Sequence, residues 1–268
     1  MPTNIQNRKP DREKKWEIPS PPFWGAKSIS LSVEELFKKI NRKALYRISW
    51  GAGRAKGDVW ERYTQEFDGR LDEMRKSILK DPWIEPQAAY GYWRCSSEGD
   101  SILIYPNETD QIAKPIYFSF PRQAAYPFLC LSDYFAPVNH TQRDVVAVHL
   151  VTAGHRAVAH VRSLQEEGKI LDAYFAHGLA VQLTSAAAEF MHQRIRYELM
   201  IGKRQGQRYS WGFPPIPDLS QQEEIVSLLR AREELRIEMT SGYQFIPEYS
   251  TAALIVHHPK AVYFRIEN

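Results

Sequence analysis

The segment that most constrains this chain begins at Gln207 and reads QRYSWGFPPIPDLSQQEEIVSLL. Pro214, Pro215 and Pro217 fix φ and remove three backbone donors, so residues 212–218 are excluded from a helix interior and form a specified loop. A helix restarts behind it. Ser220 and Glu223 have the spacing of a capping box, and Ile225, Leu228 and Leu229 supply the apolar stripe that follows. Read from residue chemistry alone, the segment is a helix-entry loop over a buried Trp211, and its shape is that of a binding lip.

With 43% apolar and 12% aromatic residues, 268 residues can build a substantial core, as one large domain or two small ones. The 35 basic and 32 acidic residues nearly balance, and the one basic cluster, Arg8 to Lys15, reads as a solvated arm. That distribution argues against nucleic acid. Cys95 and Cys130 are too few for a disulfide framework and have no CxxC spacing, which fits a reducing compartment. The N-terminus lacks an apolar leader, and no window reaches 18 consecutive apolar residues. The expectation is a cytoplasmic, soluble protein that does not enter a membrane.

Residues 1–17 are polar and charged without an apolar period and are expected to be a disordered arm, followed by one unit over 18–268. Ser32 and Glu35 predict a short helix with Leu36, Phe37 and Ile40, and ALYRISW at 44–50 reads as a strand. A long helix is predicted from Asp58 on the spacing of Val59, Tyr63, Phe67, Leu71, Met74 and Ile78, ending at Pro82. Residues 88–105 read as a hairpin around SSEGD, YFSF at 117–120 as a further strand, and DVVAVHLVT at 144–152 as a strand buried on both faces. Residues 156–200 read as helix broken at Gly168, and TAALIVHH and AVYFRI as a closing antiparallel pair. The mixture predicts an α+β fold, a mainly antiparallel twisted sheet with helices packed around it.

The eight histidines form neither HxxxH nor HExxH, and His257 and His258 are adjacent, so a strand would point them to opposite faces. No metal site is expected. His192 has Glu189 three residues before it and Arg196 four after it, the setting of a hydrogen-bonded interfacial histidine. GxSxG, P-loop and GxGxxG patterns are absent, which removes support for hydrolase, ATPase and dinucleotide readings.

The loop after Gln207 is similar to the Arg-x-x-x-Gly-Tyr-Pro signature of the activation (reactivation) domain of cobalamin-dependent methionine synthase, with Arg208, Gly212 and Pro214 matching and Phe213 in place of Tyr. SPPFWGAK, AHGLAVQLTSAAAEFMHQRIR and HHPKAVYF resemble the same family in the same order, so the resemblance spans roughly residues 18 to 266. It implies a shallow groove for S-adenosylmethionine. Mapped residue by residue, Trp50 keeps an aromatic and Ser49 replaces an Asp, Ser185 replaces a Glu with Glu189 one turn later, Arg208 is kept, and Ser210 takes a backbone-contact position. Phe213 replaces a Tyr, and Tyr263 and Phe264 keep a final aromatic pair.

Serine at 49 and 185 removes two carboxylates expected near the ligand's positive groups. Trp50, Phe213 and Tyr263 offer cation–π contacts of about 0.5–2 kcal/mol each, less than a charge-assisted hydrogen bond at about 1.5–3 kcal/mol. The resemblance thus implies a weakened S-adenosylmethionine site, or one in which Glu189 substitutes. It also implies a stand-alone activation subunit that supports reductive methylation of cobalamin carried by a partner. The partner is a corrinoid-binding methionine synthase subunit, and the electron comes from flavodoxin or a ferredoxin-like donor. No corrinoid-domain DxHxxG motif is present, which points to action in trans. The alternative is a non-catalytic docking or capping protein for a corrinoid protein, without S-adenosylmethionine binding.

Overall fold

A strand with apolar side chains on both faces organises the molecule. The computed structural model describes residues 17–106 and 114–266, so the expected N-terminal arm lies, apart from Glu17, outside the described residues. The first half of the chain runs β1 (Gly25–Ser30), α1 (Val33–Lys39), α2 (Arg42–Ala44), α3 (Gly57–Lys80), β2 (Gln87–Glu98), β3 (Ser101–Tyr105), β4 (Ile116–Ser119) and β5 (Asp144–Thr152). The second runs α4 (His155–Glu166), α5 (Ile170–Glu198), β6 (Gln207–Ser210), α6 (Gln222–Leu228), α7 (Ala231–Leu235), β7 (Glu238–Met239), β8 (Phe245–Ile246) and β9 (Ser250–Val256).

All nine residues of β5 are buried, because the sheet carries a layer on each side. Val145, Ala147 and Val151 face the core made with α3 and α5, and Val146, Val148 and Leu150 face the core made with α6 and α7. The strand order is β4-β3-β2-β5-β9-β6, antiparallel throughout, and β1 and β3 share the remaining edge of the long β2. At the β1–β2 crossing a Cβ on Gly91 would lie 2.1 Å from the Gly25 carbonyl oxygen, so only glycine lets the two backbones pair there. The fold is thus α+β with an antiparallel sheet between helical layers.

Most predicted elements form where the periodicity places them. Ser32 Oγ accepts from the Glu35 amide and starts α1, and the long helix break falls at Gly168, whose φ of +74° suits glycine. The α3 stripe begins later than its spacing suggests: Phe67, Leu71 and Ile78 are buried, while Val59 and Tyr63 are exposed. Among the described residues no helix is long and apolar enough to cross a membrane.

Three expectations are corrected. Residues 44–50 are helical rather than a strand: Asn41 Oδ1 caps the Ala44 amide, and Leu45–Ser49 form a π turn closed by the Trp50 amide on the Leu45 carbonyl. The turn buries Leu45, Tyr46 and Trp50 together and leaves Ile48 78% exposed, a pattern no period-two strand produces. Residues 261–266 form no strand. β9 has two edges, and β5 and the short β6 occupy both. The helix after the prolines is capped by Asp218, whose carboxylate accepts from the Ser220 amide at 2.9 Å and hydroxyl at 2.6 Å, rather than by a Ser220–Glu223 box.

Candidate ligand cavity

Strand β6 decides which side chains reach the cavity. Arg208 pairs with Ile255 and Ser210 with Ala253 across β9, so alternation buries Tyr209 in the α6–α7 core and turns Arg208 and Ser210 toward α5. Gly212, at φ +82°, then reverses the chain: its amide donates to the Ile216 carbonyl, and the Ile216 amide donates to the Phe213 carbonyl. This tight turn projects Phe213 outward, 55% exposed, over a buried Trp211. From the C-terminal side Tyr209 donates to the Val262 carbonyl at 2.6 Å and stacks on Tyr263, which fixes that ring beside the same opening.

The resulting open cavity measures about 420 Å³ and is lined by Glu189, His192, Arg196, Gln207, Arg208, Ser210, Phe213 and Tyr263. The Arg208 side chain makes no hydrogen bond or ion pair among the described residues. Burial lowers its pKa, and the charge of Glu189 opposes that effect. On α5, Glu189 Oε1 accepts from Gln193 at 3.0 Å, and Gln193 is itself held by Lys39. Glu189 Oε2 faces His192 Nδ1 at 3.6 Å. The His192 imidazole, followed by the Gln193 amide, pulls the Glu189 carboxyl down to about 2 against the effect of burial, so it is charged at neutral pH. A guanidinium without a partner among the described residues therefore shares the cavity lining with a fixed carboxylate and two aromatic rings, charges and faces that complement a ligand carrying a carboxylate and a cation.

Behind the cavity floor, His149 sits in the cross-strand row Ser210, Ala253, His149, Tyr90. It is fully buried, and both ring nitrogens lack a partner. Burial, then the charges of Arg208 and His192, hold its pKa well below the ordinary histidine value, so it is neutral. An unpartnered buried polar group costs about 1–3 kcal/mol. His149→Leu, similar in volume, is predicted to raise stability by about 1–2 kcal/mol, read as a higher urea midpoint with an unchanged slope. An unchanged or lower midpoint would show that the imidazole is satisfied in solution.

Of the nine residues that the resemblance implies, the cavity brings together Glu189, Arg208, Ser210, Phe213 and Tyr263. The other four lie elsewhere. Trp50 is buried, its Nε1 donating to the Phe175 carbonyl at 3.0 Å and its indole Cδ1 2.8 Å from where a Cβ on Gly178 would stand. Ser49 Oγ accepts from Gln182 of α5 at 3.1 Å, Ser185 is exposed on that helix, and Phe264 is buried in the core. Gln182, Ser185, Glu189 and His192 recur at three- and four-residue steps, so Ser49 and the cavity sit on one stripe of α5, about 10 Å apart at 1.5 Å per residue. His192, Arg196 and Gln207 also line the cavity without being marked as ligand residues in the sequence. Their signal is positional: two helical steps beyond Glu189 and one residue before Arg208.

The family model of the vitamin B12 dependent methionine synthase activation domain matches residues 64–268. The methionine synthases of Mycobacterium tuberculosis and Mycobacterium leprae are each 30% identical to this chain over 93% of its length. The match takes in 23% of each of those enzymes, so the chain spans about a quarter of the curated relatives' length. Among solved structures, the MetH reactivation domain bound to AdoHcy superposes with a TM-score of 0.84 at 21% identity, covering 93% of this chain and 83% of that one, which establishes the shared fold. With a family model covering most of the chain and relatives aligned along nearly all of it, this chain belongs to the family of methionine synthase activation domains.

Proposed function

We propose that this domain supports the reductive methylation, and hence reactivation, of cobalamin carried by a corrinoid-binding methionine synthase module, with S-adenosylmethionine as the methyl donor bound in the cavity of Arg208. The observation that carries the reading is the partnerless Arg208 guanidinium facing a cavity that also holds a carboxylate and two aromatic rings. S-adenosylmethionine, when bound, supplies an activated methyl on a sulfonium, and a flavodoxin or ferredoxin-like donor supplies the electron. Arg208 clasps the ligand carboxylate through a charge-assisted, fork-shaped contact. Phe213 and Tyr263 turn π faces to the sulfonium at the open mouth, where exposures of 55% and 46% leave both rings available to a covering partner. The chain's part in the chemistry is positioning: holding the methyl in line with the reacting centre removes orientational freedom from the barrier.

The second reading is a docking or capping protein that has lost the methyl donor. It is favoured by Ser49 and Ser185, which leave Glu189 as the carboxylate lining the cavity among the described residues. Titration calorimetry of the purified chain with S-adenosylmethionine separates the two. The proposal expects saturable one-to-one binding. No heat at millimolar ligand, with association to a corrinoid-carrying module intact, would establish the capping reading instead.

A further inference from the structure

Strand β6 leaves the sheet early. It pairs with Val256 to Ala253 of β9 before Gly212 turns the chain away, so Ser250, Thr251 and Ala252 have no strand partner on that edge. Sheets ordinarily protect an edge with charge or proline, and these three residues carry neither. An open groove of about 830 Å³ lies against this stretch and shares no lining residue with the Arg208 cavity. Ser250 and Thr251 both line it. Successive strand residues point to opposite faces, so the groove opens at the sheet edge itself rather than over one face. Both layers wall it. From the α5 side, α4 contributes Val158, Ala159 and Arg162, and from the α6–α7 core come Trp211 and Phe245. Tyr243, between β7 and β8, is held at φ +60° with its carbonyl accepting from the buried Gln222, yet it stays 41% exposed at the groove, so burial does not offset that left-handed backbone.

We propose that this groove binds an extended peptide segment of a partner protein by strand addition to β9, with apolar side chains toward Trp211 and Phe245 and, between them, a carboxylate toward Arg162. An edge slot walled from both layers suits an extended chain, whose main-chain groups pair with the open edge while alternate side chains enter the two walls. Three residues of edge span about 10 Å, room for a strand of about three or four residues. Charge fixes the pattern. Arg156 of α4 is paired with Asp81 and Glu85, whereas the Arg162 side chain makes no hydrogen bond or ion pair among the described residues. Glu248, just before β9, also lines the groove, so a basic residue at the C-terminal end of an antiparallel segment completes the match. The groove and the Arg208 cavity are separate, so this interaction stands or falls apart from methyl-donor binding.

The probe is a fluorescein-labelled peptide, Thr-Phe-Glu-Val-Thr-Lys, blocked at both ends and titrated with the full chain by fluorescence anisotropy. Saturable binding is expected. Methylating the peptide's backbone nitrogens one at a time should weaken binding by about ten-fold or more at amides that face β9 and leave the alternate ones tolerated, the period of two that strand pairing imposes. Arg162 is exposed, so Arg162→Glu leaves the core intact. The variant should bind the peptide about two- to five-fold more weakly, the scale of an exposed ion pair, and should prefer a peptide with Lys in place of Glu. No saturation at millimolar concentration would overturn the proposal. Equal effects of methylation at every position would overturn strand addition, and an Arg162→Glu chain that still prefers the acidic peptide would place the contact elsewhere. The methylation series is read on the parent chain, so the result does not depend on any variant folding.

Discussion

Arg208→Ala is expected to weaken S-adenosylmethionine binding by about ten- to 150-fold, the range that follows from losing a charged hydrogen bond of about 1.5–3 kcal/mol. Two features of the structure make this the largest functional effect. The guanidinium has no protein partner among the described residues, so its hydrogen-bonding capacity is available to a ligand. Its removal also leaves no buried group newly orphaned, because β6 is held by backbone pairing with β9 and by Tyr209 in the core. Thermal unfolding of the variant should therefore match the parent while its calorimetric titration loses most of its signal. Arg208→Lys should fall between the two, since an ammonium keeps the charge without the planar two-point fork. Undiminished affinity in Arg208→Ala would mean that the ligand binds outside this cavity. A large loss of thermal stability would mean that the arginine serves the fold.

Where local pattern and burial agree, the fold was legible from the sequence. The nine-residue run from Asp144 admits one reading, a strand covered on both sides, and it forms that strand. The 44–50 segment misled because Leu45, Tyr46 and Trp50 satisfy a strand's composition, while the capping oxygen of Asn41 and the i to i−5 bond that closes the turn are geometric facts. AVYFRI misled for a non-local reason: it has strand chemistry, but β9 has no edge left for it. The cavity was legible in residue identity through Arg208, Phe213 and Tyr263, and alternation along Gln207–Ser210 would have placed Arg208 beside Ser210 once that stretch was read as a strand. What no sequence pattern carried is that Glu189 and Arg208 line one cavity without pairing, which depends on Gln193, itself held by Lys39, and His192 converging on one carboxylate.

The largest expected effect on stability lies at a corner that supports the cavity without touching it. Asp144 is fully buried at the start of β5 and accepts three hydrogen bonds, from His257 Nε2 at 2.6 Å and from the amides of Ala136 and Val145, each at 2.7 Å. His257, 1% exposed and directly after β9, has no partner for its Nδ1 among the described residues, so Asp144 is the one side-chain anchor they offer it. Asp144→Ala strands three buried donors at once, and breaking a buried pair of this kind costs about 3–5 kcal/mol. The expected result is an unfolding free energy lowered by that amount, read as a lower urea midpoint, or a chain that does not fold at 37 °C. Asp144→Asn should cost less, because its carbonyl oxygen still accepts while its amide meets a donor. A loss below about 1 kcal/mol for Asp144→Ala would show that water enters the corner and replaces the carboxylate. The corner is also coupled to the ligand. The His257 carbonyl accepts from Gln205 at 3.0 Å just before β6, so unfolding here releases the strand that carries Arg208. A ligand that binds only the folded state at one hundred times its Kd adds about 2.7 kcal/mol. Saturating S-adenosylmethionine should therefore recover much of the stability lost in Asp144→Ala, and the same ligand concentration should recover only about 0.3–1.4 kcal/mol when Arg208→Ala is added.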